Sequence, residues 1–98
     1  MTDWRDDRAQ VVDYLRHKNE GASLQAVALY ADAFGEYRAA MANIREHGAV
    51  VFHPRTGAPI DNPFLRVRDA ARKALGEFAK PGPMRIREVD DLWSESDA

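Results

Sequence analysis

The sequence predicts an all-α fold, an antiparallel helical hairpin with a third helix laid against its base, and three observations carry that prediction. In residues 23–47 the polar positions Gln25, Asp32, Glu36, Asn43 and Glu46 fall in one narrow sector at about 100° per residue, leaving a largely apolar circumference. A five-residue break, Lys18-Asn19-Glu20-Gly21-Ala22, separates this stretch from an earlier amphipathic one, and so short a connection joins adjacent antiparallel helices. Asn62-Pro63 then marks the start of a third helix, with Asn as N-cap and Pro at the first helical position, where its missing N–H costs nothing.

The first helix is expected over about residues 3–18. Thr2 or Asp3 caps it, and Asp3, Asp6 and Asp7 sit where the positive end of the helix dipole favours acids. Trp4, Arg8, Val11 and Leu15 follow at steps of four, three and four, flanked by Val12 and Tyr14. Ser23 caps the second helix, about 38 Å long over residues 23–47 at the standard rise, and Arg45, His47 and Gly48 are its stop signals.

That helix carries two apolar seams. Val27, Tyr30, Phe34, Tyr37, Met41 and Ile44 recur at alternating steps of three and four, and so do Ala26, Tyr30, Ala33, Tyr37, Ala40 and Ile44. Two adjoining seams need about two neighbours, and a chain of 98 residues supplies few. Self-association is therefore expected, with Val27, Tyr30, Phe34, Tyr37, Met41 and Ile44 at or near the subunit contact. The alternative is a wide core face covered by the chain's own two other helices.

Beyond Gly48 the period changes. Ala49-Val50-Val51-Phe52 is β-prone, His53-Pro54-Arg55-Thr56-Gly57 is turn chemistry, and Ala58-Pro59-Ile60 returns, so about 49–60 is either a minor β-hairpin or an extended loop. The third helix, about 63–80, has Phe64, Val67, Ala71, Ala74, Leu75 and Phe78 on one core-facing stripe. Pro81-Gly82-Pro83 stops it. Residues 1–80 read as a single helical oligomerisation domain and 81–98 as a C-terminal tail, partly mobile, ending Ser94-Glu95-Ser96-Asp97-Ala98. Leu92 and Trp93 in that tail are either an anchor for a partner or pack back on the domain, the second being preferred.

Composition excludes several classes. No apolar run approaches the length of about 18 residues that a membrane span needs, the acidic N-terminus lacks the apolar centre of a signal peptide, and without cysteine there is no disulfide or thiol chemistry. A soluble cytoplasmic protein is expected. His17, His47 and His53 stand singly, no Gly-rich phosphate loop occurs, and no two carboxylates share an apolar setting, so catalytic residues, metal ligands and cofactors are all read as none. The chain is not read as an enzyme.

Net charge is −2, unevenly spread: residues 1–50 hold 6 basic and 8 acidic side chains, residues 51–80 hold 6 and 3, and residues 81–98 hold 2 and 5. Arg66, Arg68, Arg72, Lys73, Arg85 and Arg87 cluster in the basic part and are the candidate phosphate contacts, set against the plainer reading of a solvated face with an Asp69–Lys73 pair.

Tyr30-Ala31-Asp32-Ala33-Phe34-Gly35-Glu36-Tyr37-Arg38, Ile44-Arg45-Glu46-His47-Gly48-Ala49-Val50-Val51, Gly57-Ala58-Pro59-Ile60-Asp61-Asn62-Pro63 and the helix Val67 to Ala79 together resemble the bacteriophage terminase small subunits. In that family a long aromatic-bearing helix runs into a Gly-Val-type turn, a short Gly-containing loop, an Asn-Pro and a final helix. The resemblance covers about residues 24–80 and rests on the order of parts, with Gly48, Asn62 and Pro63 in place. It implies a non-catalytic DNA-packaging protein that assembles into a ring, binds double-stranded viral DNA and regulates the large terminase subunit, the ATPase and nuclease, in the cytoplasm of an infected bacterial host. Two departures bear on DNA reading. The family usually carries a longer segment ahead of the long helix, where only residues 3–18 stand here, and it continues after the last helix with Gly-Leu-Thr-Pro-Ser and an Arg, where this chain has Gly82-Pro83-Met84-Arg85. The rival reading is a small oligomeric phage adaptor or regulatory protein without DNA binding, and duplex binding with a steep salt dependence separates the two.

Overall fold

The computed structural model of the chain describes residues 3–78 and 85–94. Helices α1 (Arg8–Lys18), α2 (Leu24–His47) and α3 (Phe64–Phe78) are its body, with a two-stranded antiparallel sheet, β1 (Val50–Phe52) and β2 (Pro59–Asp61), between α2 and α3, and one helical turn, α4 (Asp90–Trp93), near the end. The fold class is as the sequence predicts.

Asp7 breaks the expected 3–18 helix. Trp4–Asp6 is a separate 3-10 turn capped by Asp3, and Asp7, in an extended conformation, starts α1 by accepting from the backbone N–H of Ala9 at 3.0 Å and Gln10 at 3.4 Å. Two aspartates four residues apart each satisfy the free N–H groups of their own turn, so one continuous helix gives way to two caps. The turn is fixed against α1 by Trp4 on Tyr14, ring centroids 5.2 Å apart. Ser23 caps α2 as expected, its Oγ accepting from Ala26 N at 3.0 Å.

Helix α2 is the axis. Helix α1 runs back along its N-terminal half, tied by Arg8 to Asp32 at 2.7 Å, and α3 runs antiparallel on another side, from Asn62 beside Asn43 to Phe78 against Tyr30. Val11 and Leu15 of α1, Val27, Tyr30, Ala31 and Phe34 of α2, and Leu75 of α3 form one core. Val67 lies on the expected α3 stripe yet is 37% exposed, because the core sits toward the other end of α3.

The hairpin is formed, in the register Val50↔Asp61, Val51↔Ile60 and Phe52↔Pro59. His53 shapes its turn: its Nδ1 accepts from Arg55 N at 3.1 Å and its carbonyl from Gly57 N at 2.8 Å, with Gly57 at φ 72°. Val51 and Ile60 are half-buried while Phe52 is left 71% exposed.

The C-terminal segment departs most from expectation. Residues 85–94 lie on the core, Ile86 and Leu92 being buried within it, so Leu92 packs back on the domain and is no free anchor. Ile86 N donates to Phe78 O at 3.1 Å and Arg87 N to Asn19 Oδ1 at 2.6 Å. The Tyr14 hydroxyl donates to Glu88 O and accepts from Asp91 N, and Arg5 donates to Leu92 O at 3.3 Å and Ser94 O at 2.7 Å. Both ends of the described chain thus clasp each other across α2. The Pro81-Gly82-Pro83 stop and the expected mobility of residues 95–98 lie outside the described residues.

Candidate nucleic-acid interface

On an α-helix, positions seven or four apart share a face and positions two apart lie about 200° round from each other. Arg66 and Lys73 therefore occupy one side of α3 and Arg68 and Arg72 another, so the helix presents its basic residues on two sides. Arg66, Arg72 and Lys73 are exposed, whereas Arg68 is half-buried with its Nε 3.0 Å from Asp69 Oδ1. Arg85 and Arg87 lie past the opposite end of α3, on the segment anchored to Phe78 and Asn19.

Arg72 meets the seam of α2. Its guanidinium lies over the Tyr37 ring, 5.9 Å from the centroid, and Tyr37 in turn meets Trp93, centroids 5.5 Å apart at 68°. Trp93 also stands edge-on to Phe34, at 5.1 Å and 90°, and its Nε1 donates to the Tyr30 hydroxyl at 3.3 Å. Tyr30 packs edge-on against Phe78. Edge-to-face pairs of this kind are favoured by the ring quadrupoles. Burial pushes the Tyr30 hydroxyl above the ordinary tyrosine range, the Trp93 hydrogen bond acting weakly against it. This hydroxyl stays neutral at physiological pH.

The expected subunit contact is thereby divided. Val27, Tyr30 and Phe34 are buried within the chain's own core, covered by α3 and the C-terminal segment, and are not surface residues. Tyr37, Met41 and Ile44 remain half-exposed. Trp93, 43% exposed, is held by the seam yet keeps part of its ring in solvent.

A second group of arginines flanks the same aromatic pair. Arg5, Arg38 and Arg45 line a hollow with Tyr37, Met41 and Trp93, together with Asp3 and Asp6. Arg38 spans both carboxylates, 3.6 Å from Asp3 and 2.8 Å from Asp6. Asp3 is held down to about 2, chiefly by hydrogen bonds from the Arg5 side chain and backbone N–H, with the Arg5 and Arg38 charges adding to them. Arg45 is exposed. The site thus offers planar cations beside aromatic faces, the chemistry that takes phosphates and bases. Among the described residues no group of His, Cys, Asp and Glu is placed to hold a metal ion.

Sequence reasoning named Tyr37, Arg72 and Trp93 in three separate groups and left out Arg45 and Arg38. Arg72 and Trp93 lie on other elements, so nothing local signalled their meeting with Tyr37, whereas Arg38 and Arg45 stand seven apart on α2 and their shared face was a local signal.

No curated protein and no solved structure matches the chain. A family model described as "Phage terminase, small subunit" matches residues 8–81. That span takes in α1, α2, the hairpin and α3, which are the parts, in the order, that the Gly48 and Asn62-Pro63 signals mark out. On this match over three quarters of its length, the chain belongs to the phage terminase small subunit family.

Proposed function

We propose that this protein is the non-catalytic, DNA-engaging component of a phage packaging machine: it assembles into a homo-oligomeric ring, binds double-stranded viral DNA, and regulates the large terminase subunit that carries the ATPase and nuclease. The observation that carries this reading is the family match over residues 8–81. Arg66, Arg68, Arg72, Lys73, Arg85 and Arg87 are its phosphate contacts, and closure of a ring multiplies a patch that is weak in one copy. The subunit contact rests on Met41 and Ile44, seam residues that keep exposed surface. Phosphate contacts carry little sequence information, so discrimination falls to DNA shape, bending round the ring, or the large subunit. Among the described residues no helix is long and apolar enough to cross a membrane. The host cytoplasm is the proposed location.

The test combines mass and salt. Light scattering on the purified chain is expected to give several times the 11.0 kDa of one subunit. Duplex affinity is expected to fall steeply between about 50 and 200 mM salt. A monomer that ignores duplex DNA sinks the reading, and an oligomer that ignores it points to the rival adaptor.

A further inference from the structure

We infer that the hollow between α2, α3 and the C-terminal segment is a seat for one unpaired base of single-stranded DNA, stacked on Trp93 beside Tyr37 with its phosphate on Arg72. The inference rests on the DNA-binding reading above and adds the form of DNA that this hollow takes. Tyr30, Tyr37, Arg72, Gly76, Ile86 and Trp93 line it. Its aromatic side is prepositioned. Trp93 is fixed through its indole N–H on Tyr30 and through edge contacts with Phe34 and Tyr37, so stacking there orders few further rotors. Its cation is poised. Exposed beside the Tyr37 ring, Arg72 can offer its guanidinium to an anion, and no carboxylate pairs with it among the described residues.

Its floor is open. A side chain at Gly76 would meet nothing within 4 Å of its Cβ, so the helix leaves room beside Leu75 where most residues would fill it. Charge selects the occupant: an exposed arginine at the rim suits a nucleotide phosphate better than an apolar peptide. A base within a duplex is stacked on both faces and reaches such a shelf only when unpaired.

The chain has two tryptophans, so a Trp4→Phe background leaves Trp93 as the reporter. Titrating this variant with oligodeoxythymidylate and with a blunt duplex of equal length should give a saturable quench by the single strand and little by the duplex. Arg72→Leu should weaken the single-strand response about five- to a hundredfold. Gly76→Leu, which fills the floor at an exposed helical site, should do the same while leaving duplex affinity unchanged. A chain that binds duplex but whose Trp93 ignores the single strand overturns the inference and leaves the DNA reading standing, and one that binds neither overturns both. A quench indifferent to both Arg72→Leu and Gly76→Leu overturns it, as does a Trp93 change that follows protein concentration without DNA, which marks a second copy as the occupant.

Discussion

The side-chain amide of Asn62 donates to the Asn43 side-chain oxygen at 2.9 Å, joining the residue that opens α3 to the last turns of α2. The same Nδ2 donates to the Gly48 carbonyl at 2.9 Å, Oδ1 caps α3 by accepting from Phe64 N at 2.9 Å, and the backbone N–H reaches Ala49 O at 2.8 Å. One buried side chain thus closes the hairpin between two helices. Asn62→Ala removes the cap and strands the Gly48 carbonyl, so a loss of about 2–3 kcal/mol is expected by chemical denaturation. Asn62→Asp keeps the cap but sets a carboxylate oxygen against that carbonyl, and should be no better. A change within about 0.5 kcal/mol for Asn62→Ala would show the junction to be held by the hairpin alone.

Asn62 also shows which features were legible in the sequence. Caps and stops act over two to four residues, so Ser23, Gly48 and Asn62-Pro63 gave the limits of α2 and the start of α3 correctly. The Asp7 break was hidden because Asp3, Asp6 and Asp7 all suit a first turn, and only backbone geometry separates a cap from a first-turn acid. The docking of residues 85–94 was hidden for a different reason. Ile86 and Leu92 follow no helical period, and their supports, Arg5 and Tyr14, lie more than 70 positions away in sequence. The aromatic seam was read correctly as needing more cover than one neighbour gives, but the cover over Tyr30 and Phe34 comes from the chain's own C-terminal segment.

That cover changes how self-association must be tested. Phe34→Asp would place a charge in the core and is expected to unfold the subunit, so loss of assembly in that variant says nothing of the interface. Met41→Asp and Ile44→Asp, at half-exposed positions, should keep the helical circular-dichroism spectrum while lowering the mass seen by light scattering. Unchanged mass in both would move the contact off this face of α2.

Leu92 makes the docking of the C-terminal segment measurable. It is 1% exposed and belongs to the main core, so Leu92→Ala should cost about 2–5 kcal/mol, as large-to-small core changes do. A cost near zero would mean that residues 85–94 add nothing to the stability of the fold.

Acid should loosen the N-terminal side of that clasp. Asp3, held at about 2 against an ordinary 3.8, contributes stability that is fully present above its ordinary value and is lost as pH falls through about 2. Wild type should therefore lose its advantage over Asp3→Asn between about pH 4 and pH 2 and keep it at neutral pH. Denaturation midpoints of the two chains at pH 6, 3 and 2 check the sign. A gap that widens on acidification would contradict the Arg5–Asp3 pairing.

Arg68 and Arg72, on one side of α3, are unequally free to meet a DNA phosphate. Arg68 is already engaged with Asp69 at 3.0 Å and half-buried, so releasing it to DNA first breaks an ion pair. Arg72 is exposed beside the Tyr37 ring, its guanidinium 5.9 Å from the centroid, and no carboxylate pairs with it among the described residues. Arg72→Glu is accordingly expected to weaken duplex binding more than Arg68→Glu, about equally on viral and random sequences. Each lost phosphate contact should flatten the slope of log affinity against log salt by about one unit. Arg66→Glu and Lys73→Glu probe the opposite face, where Asp69 sits three residues beyond Arg66 and four before Lys73. If that pair flattens the slope while Arg72→Glu leaves it unchanged, DNA lies along the outer face of α3, and the Tyr37–Arg72 side faces the large subunit or another copy instead.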